Sequence, residues 1–232
     1  MKQAKVATGA KPKKPRAKKK AQPKVKVGRP TQTINPLRLL GATIRDINQS
    51  DPHIKEIASI HEAGHTVLAM IFETLSEGNL LWFDYVDIRD DIQGGEFIGG
   101  RTRYTHSPDI TDLQLDLIGL AGPVCVQHIK KRFDFWGGAY VDVMNCKFKT
   151  QDDIWQVMSV LDFLFAMDDI KSIINQIATR LEREESLTGN TVREIVYSNP
   201  AFKVIVADLA AKAEAATAAT VAKATVATAA VA

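Results

Sequence analysis

The sequence predicts a mainly α domain with a small β-sheet or hairpin, an α+β fold with a disordered tail at each end. Apolar residues recur at helical spacing in several segments, whereas period-two alternation is confined to about residues 81–105. The segments 1–45 and 210–232 lack the composition of a packed core. We therefore assign one folded domain to residues 46–209, and about 160 residues suffice for a single core.

The first helix is predicted over residues 52–74. Pro52 suits the first helical position, and Ser50 or Asp51 can cap the helix. Gly64 costs a helix about 1 kcal/mol relative to alanine, which is easier to understand if another segment packs closely against it. The inward face is formed by residues spaced three, four or seven apart, namely Ile54, Ile57, His61, Leu68 and Phe72.

Short strands and a second helix are predicted after the first helix. Two or three strands are expected within residues 81–105, where apolar and polar residues alternate. A second helix should begin at Ser107 and Pro108 and continue to about Phe133. We expect a bend or break at Pro123, because proline removes one helical hydrogen bond and clashes with the preceding turn.

The C-terminal half of the domain is predicted to be helical. Thr150 or Asp152 can cap a third helix over about residues 153–166, and a fourth helix covers about residues 168–186. One or two shorter helices follow. Aromatic residues beside the glycine pair at residues 137–138 predict a loop between the second and third helices.

The first helix carries the pattern H-E-x-x-H at residues 61–65. Side chains at positions i and i+4 lie on the same helical face, so His61 and His65 can bind one metal ion at about 2.0–2.1 Å per Zn–N bond. Glu62 can then take a proton from the metal-bound water that attacks a carbonyl. The pattern also occurs by chance, but histidines on an inward face need partners. We therefore predict one Zn²⁺ per chain, with Glu62 as the general base.

This segment and four others resemble the peptidase domain of the FtsH-type ATP-dependent zinc metalloproteases, and the resemblance covers about residues 52–200. They are His61–His65, the Gly-rich stretch Gly99–Thr105, Leu120–Gly122, Thr150–Ile154 and Leu181–Gly189. The resemblance implies a zincin-like helical peptidase domain that hydrolyses peptide bonds. Pro123 stands where that family usually has arginine, so the second helix departs from the pattern.

A hydrolytic zinc site needs a third protein ligand and an open fourth position. The resemblance assigns the third ligand to Asp153. Both Asp153 and its neighbour Asp152 also fit the role of a helix cap, with Asp152 the better candidate, because a carboxylate is favoured beside free N–H groups at a helix N-terminus. His106 is an alternative ligand at the end of the Gly-rich stretch, and Asp142 is another downstream carboxylate.

The Gly-rich stretch predicts an edge strand beside the metal. Such a strand can hold an extended substrate through main-chain hydrogen bonds, which gives broad specificity. The candidate substrate-binding residues are Gly99, Gly100, Thr102 and Tyr104. The competing interpretation is an ordinary hairpin without a binding role.

Two patterns of the resembled family are missing from the sequence. The chain has no G-x-x-x-x-G-K-[ST] phosphate loop and no run of 18 apolar residues, so we expect neither an ATPase nor a membrane span. A peptidase of this kind should act on unfolded or flexible proteins, or receive them from an ATPase in trans. The chain also lacks a secretory signal, so Cys125 and Cys146 are expected to be reduced thiols in the cytoplasm.

Positive charge is concentrated in the N-terminal segment. Residues 1–45 carry 14 Lys and Arg and no acidic residue, whereas the remainder has a formal net charge of −11. This disordered arm, densest at Lys18, Lys19 and Lys20, can bind nucleic acid non-specifically or contact an acidic partner. It lacks the interleaved aromatic residues that stack on bases.

From these observations we interpret the protein as a zinc-dependent endopeptidase. The alternative is a non-catalytic metal-binding relative that acts as a binding or adaptor protein, tethered to nucleic acid by the basic arm. Glu62 favours the enzyme, because a purely structural metal site has no use for a base. A metal-dependent hydrolase of another bond is a third hypothesis, because the same groups serve several carbonyl reactions.

Overall fold

Most of the described chain is helical, and a small three-stranded antiparallel sheet accompanies the helices, which confirms the predicted fold class. The computed structural model describes residues 53–88, 99–131, 137–148 and 150–229. The predicted basic arm, the caps Ser50 and Asp51, and the aromatic residues 133–136 lie outside these ranges. No helix within them combines the length and the apolar character that a membrane crossing requires.

The secondary structure follows the predicted order with five differences. The segment 137–145 forms a helix where a loop was predicted, and the last helix continues to Ala229 into the segment predicted to be a disordered tail. The other three are described below. The helices are α1 (Ile54–Leu75), α2 (Asp112–Lys130), α3 (Gly137–Asn145), α4 (Gln151–Ala166), α5 (Asp168–Glu184), α6 (Gly189–Ser198) and α7 (Pro200–Ala229). The strands are β1 (Leu81–Asp87), β2 (Arg101–His106) and β3 (Ser186–Thr188).

Helix α1 is the centre of the core. Every residue from Ile57 to Ile71 is buried, because α2, α5 and β1 surround the helix. Gly64 allows the closest approach, since a Cβ there would lie 2.6 Å from Cβ of Cys125 and 2.8 Å from the carbonyl oxygen of Ala121 on α2. The structure therefore supplies the close packing that Gly64 suggested, and it places the H-E-x-x-H pattern inside the protein rather than on an exposed face.

Helix α2 continues through Pro123, which corrects the predicted break. The residues on both sides of the proline pack inward, so tertiary packing outweighs the roughly 3 kcal/mol that a proline costs inside a helix. The buried residues flanking it are Leu120, Ala121, Gly122, Val124, Cys125 and Val126.

Helix α2 also begins later than predicted, at Asp112 rather than near Ser107. Thr111 caps it: the backbone N–H of Gln114 donates to Oγ1 of Thr111 over 3.2 Å, and the backbone N–H of Thr111 donates to Oε1 of Gln114 over 2.8 Å. This reciprocal pair satisfies two N–H groups, which the Ser107–Pro108 start would not have done.

Strand β1 lies in the middle of the sheet, with β2 on one side and β3 on the other, both antiparallel to it. Two of the strands, β1 and β2, come from the predicted segment, whereas the third was not predicted. β3 comes from the three residues Ser186–Thr188, which are too short for a period-two pattern to be recognised. Within the described ranges β2 is an edge strand.

A buried ion pair joins α1 to α6 and to β1. Nε and Nη2 of Arg193 donate to the two carboxylate oxygens of Glu73 over 2.7 and 2.8 Å. Nη2 also donates to the carbonyl oxygen of Phe83, while the N–H of Phe83 donates to Glu73 over 2.7 Å. The bidentate geometry compensates for burial of both charges and holds β1, and with it β2, against α1.

Candidate metal centre

Three potential ligand atoms converge at one point in the structure: Nε2 of His61, Nε2 of His65 and Oδ2 of Asp142. The two nitrogens lie 2.9 Å apart, and the carboxylate oxygen lies 2.8 Å from His61 and 3.3 Å from His65. A tetrahedral zinc site separates its ligand atoms by about 3.3–3.4 Å, as follows from bonds of about 2.0–2.1 Å. Small outward movements therefore suffice, and the group can hold a metal ion.

The two histidines are fixed by α1 and the carboxylate by α3. His61 and His65 are one helical turn apart on α1, as predicted, and both are buried. Asp142 is contributed by α3, a nine-residue helix that packs against α2. The C-terminal end of α3 is anchored by the buried Asp116 of α2, whose carboxylate accepts the N–H of Lys147 over 2.7 Å.

Helix α2 orients the two imidazole rings. Nδ1–H of His65 donates to the carbonyl oxygen of Ile118 over 2.6 Å, so Nε2 is the nitrogen that faces His61 and Asp142, and it offers a lone pair whenever the ring is neutral. Gly122 lies against both rings, because a Cβ there would be 2.4 Å from Nε2 of His65 and 2.7 Å from Nε2 of His61. The Leu-Ala-Gly segment therefore forms one wall of the site, and its glycine is the residue that lets the rings approach.

The electrostatics of the cluster favour a cation. Burial lowers the pKa of His65, but the adjacent Asp142 carboxylate outweighs burial and raises it to about 9. Burial likewise raises the pKa of Asp142, and the charge and hydrogen bonds of the two histidines outweigh it and hold the pKa below its ordinary range. A proton on His65 thus balances Asp142 at neutral pH, and a bound metal ion would take the place of that proton.

The carboxylate of Glu62 is buried beside this cluster. Oγ1 of Thr102 donates to Oε2 of Glu62 over 2.8 Å and lies 3.2 Å from the backbone carbonyl of the same residue. Gly100 covers the side chain so closely that a Cβ there would be 2.3 Å from Cγ of Glu62. Burial raises the pKa of Glu62, partly offset by the charges of the two histidines. A carboxylate with a raised pKa is suited to accept and return a proton.

A cavity of about 240 Å³ gives access to these groups. Its walls come from α1, from the strand β2 and the residue before it, and from α2 and α3. It is lined by Glu62, His65, Gly100, Arg101, Thr102, Tyr104, Ile118, Gly119 and Asp142. The general-base candidate and two of the potential metal ligands therefore face one space.

The structure places Asp142, and not Asp153, beside the histidines. Asp153 is the third residue of α4, where its carboxylate accepts the N–H of Thr150 over 2.8 Å and its own N–H donates to Oγ1 of Thr150 over 3.1 Å. This capping box uses the carboxylate that the resemblance assigned to the metal. The third-ligand assignment is corrected accordingly.

The two other candidates for the third ligand are also placed elsewhere. Asp152 is exposed in the first turn of α4. His106 ends β2, is exposed, and has Nδ1 3.0 Å from the carbonyl oxygen of Ser107. Neither belongs to the group of converging ligand atoms.

Three of the four predicted substrate-binding residues line the cavity: Gly100, Thr102 and Tyr104. Gly99 precedes them with a φ of 88°, a left-handed conformation that glycine adopts without strain. Lys18, Lys19 and Lys20 of the basic arm lie outside the described residues.

Comparison of the chain with models of known protein families gives no match, and comparison with curated proteins gives no similar protein. The resemblance to FtsH-type peptidases therefore rests on the sequence segments alone.

Substitution of Gly122 by alanine should weaken metal binding by about 10- to 100-fold, the range for residues that orient metal ligands. The added methyl group would occupy the space of both Nε2 atoms and push the rings apart. Competition titration with a chromogenic zinc chelator measures the affinity.

Gly119→Ala is the matched control on the same helix: its Cβ would meet Sγ of Cys146 at 3.3 Å, would reach the backbone oxygen of Asp142 only at an ordinary contact distance of 3.8 Å, and would meet no histidine. We expect the control to bind zinc as the wild type does. Equal affinities for Gly122→Ala and wild type would contradict the role of Gly122 as the wall of the site.

Proposed function

We propose that the protein is a zinc-dependent endopeptidase that hydrolyses peptide bonds of unfolded or flexible proteins. The observation that carries the proposal is the buried carboxylate of Glu62, which faces the same cavity as His65 and Asp142. A site that only stabilises the fold needs ligands but no base, and it needs no open space beside the metal.

The residues divide into a metal-binding set and a proton-transfer set. His61, His65 and Asp142 would hold zinc, two neutral nitrogens and one carboxylate oxygen being a usual donor set for a catalytic zinc ion. Zinc bound there would supply a Lewis acid that polarises the scissile carbonyl and lowers the pKa of water. Glu62 would accept the proton of the attacking water and pass it to the leaving amine.

Thr102 positions the base. Its hydroxyl donates to Oε2 of Glu62 over 2.8 Å and thereby fixes the orientation of the carboxylate. Because Gly100 closes over Cγ of Glu62, the side chain has little room to change its rotamer. Fixing the base in this way keeps it within reach of the reacting water throughout the cycle.

The substrate would bind in extended form along β2. This strand is an edge of the sheet within the described ranges, and Gly100, Thr102 and Tyr104 of the same segment line the cavity. Pairing with an edge strand requires a peptide that is free of its own secondary structure. The proposal therefore includes flexible substrates, or substrates that an ATPase in trans has unfolded.

Metal content and proteolysis of the purified full-length protein test the proposal. We expect about one zinc per chain by elemental analysis, cleavage of the unfolded protein casein, loss of cleavage with a chelator, and recovery when zinc is returned. Stoichiometric zinc without cleavage of casein or of an unfolded peptide library would instead support the non-catalytic metal-binding alternative. Absence of metal binding would overturn both functions.

A further inference from the structure

We propose that Tyr104 acts as a hydrogen-bond donor to the substrate carbonyl oxygen and stabilises the negative charge that develops on it during hydrolysis. This inference rests on the proposed hydrolytic function and adds a second catalytic residue to Glu62. It concerns the side chain of Tyr104, in addition to the main-chain role of the strand that carries it.

The strand geometry places Tyr104 on the side of the sheet that faces the site. Thr102 and Tyr104 are two residues apart on β2, and side chains two apart on a strand point to the same face. Thr102 contacts Glu62 directly, so the face they share is the one turned toward α1. Accordingly, Tyr104 lines the cavity together with Glu62, His65 and Asp142.

The hydrogen-bonding pattern of the cavity leaves Tyr104 as the available donor. Two other donor side chains in the cavity wall are already bonded, because Thr102 donates to Glu62 and His65 donates to Ile118. Arg101 is adjacent to Thr102 on β2 and so lies on the opposite face of the strand, where it donates to Asp87 over 3.2 Å. The hydroxyl of Tyr104 has no hydrogen bond to any group in the described ranges. Its ring packs against the core, which fixes where the hydroxyl lies.

The chemical state of Tyr104 suits donation rather than base catalysis. Burial is the main cause that raises the pKa of the Tyr104 hydroxyl above its ordinary value. The phenol thus keeps its proton at neutral pH. A fixed neutral donor in a partly enclosed site stabilises a developing oxyanion more than it stabilises the ground-state carbonyl, and this difference accelerates the reaction.

Tyr104→Phe tests the inference, because it removes the hydroxyl and keeps the ring. In the zinc-loaded full-length protein we expect kcat for casein-derived peptides to fall by about 100-fold with KM little changed. Binding of a phosphinic peptide, whose tetrahedral anionic group mimics the transition state, should weaken by at least about 10-fold. Zinc content and melting temperature should stay as in the wild type, whereas a merely structural role would lower them instead.

Tyr85→Phe is the matched control, because it removes the same hydroxyl from the adjacent strand β1, outside the cavity wall. It should leave kcat and phosphinic-peptide affinity unchanged. If the wild type cleaves or binds the phosphinic peptide and Tyr104→Phe does so equally well, the inference fails while the proposed function stands. If the zinc-loaded wild type neither cleaves nor binds the phosphinic peptide, both fail together.

Discussion

Replacing Glu62 by glutamine should lower hydrolysis by about 10²- to 10⁴-fold, the range for loss of a general base. Glutamine has nearly the same size, so it fits beneath Gly100 and can still accept the hydroxyl hydrogen of Thr102. The metal ligands are untouched, and the variant should therefore bind zinc like the wild type. Peptide cleavage and elemental analysis on the same preparation separate the two effects.

Glu56→Gln is a suitable control for this experiment. Glu56 lies on the first turn of α1, where it pairs with Lys130 and lies outside the cavity wall. Its substitution should change cleavage by less than about twofold, because surface ion pairs contribute little. A Glu62→Gln variant that cleaves at the wild-type rate would refute the assignment of the base.

Replacing Asp142 by asparagine should reduce zinc affinity by at least about 100-fold, because the loss of a direct ligand exceeds the effect of the residues that orient ligands. The amide keeps the shape of the side chain but removes the negative charge that balances the metal and the histidines. The pKa of His65 should also fall from its raised value, since Asp142 is what raises it. Chelator competition and NMR titration of the histidines measure the two changes.

Asp153→Asn is the control that discriminates between the two aspartates. It weakens the capping box of α4 and should destabilise the fold by about 1 kcal/mol without changing zinc affinity. The opposite pattern, with zinc affinity sensitive to Asp153 and insensitive to Asp142, would restore the ligand assignment that the resemblance implied.

The first helix and its two histidines could be predicted from the sequence because they belong to one short segment of the chain. His61, Glu62 and His65 lie within one and a half turns, so helical periodicity alone relates them in space. Gly64 also carried a readable signal, since a glycine inside a helix indicates close packing, and α2 does pack there.

The third candidate ligand could not be predicted from the sequence because its position depends on tertiary structure. Asp142 lies 77 residues beyond His65 in the chain, on a short helix that begins with a glycine pair and was predicted to be a loop. No capping pattern precedes this helix, and its placement depends on contacts such as Asp116 with Lys147. Asp153, by contrast, displayed a local pattern that fits two roles, and the structure uses it for capping.

The roles of Thr102 and Tyr104 could be predicted only in part. The sequence predicted a strand and main-chain contacts, since glycine content and alternation indicate backbone geometry. It gave no reason to expect that the Thr102 hydroxyl would contact Glu62, 40 residues away in the chain. That contact depends on the register in which β2 pairs with β1, where Val86 faces Thr102.

The short helix α3 has a consequence for the lifetime of the metal complex. His61 and His65 lie on the buried helix α1, which cannot move without disrupting the core. Asp142 lies on the nine-residue helix α3, whose C-terminal end is held to α2 by the hydrogen bond between Lys147 and Asp116. If zinc binds as proposed, a movement of α3 that withdraws Asp142 would leave the ion with two protein ligands, and such a local opening needs less free energy than global unfolding. We therefore expect mutations in α3 to change the residence time of a bound zinc ion while the equilibrium stability of the fold stays nearly the same.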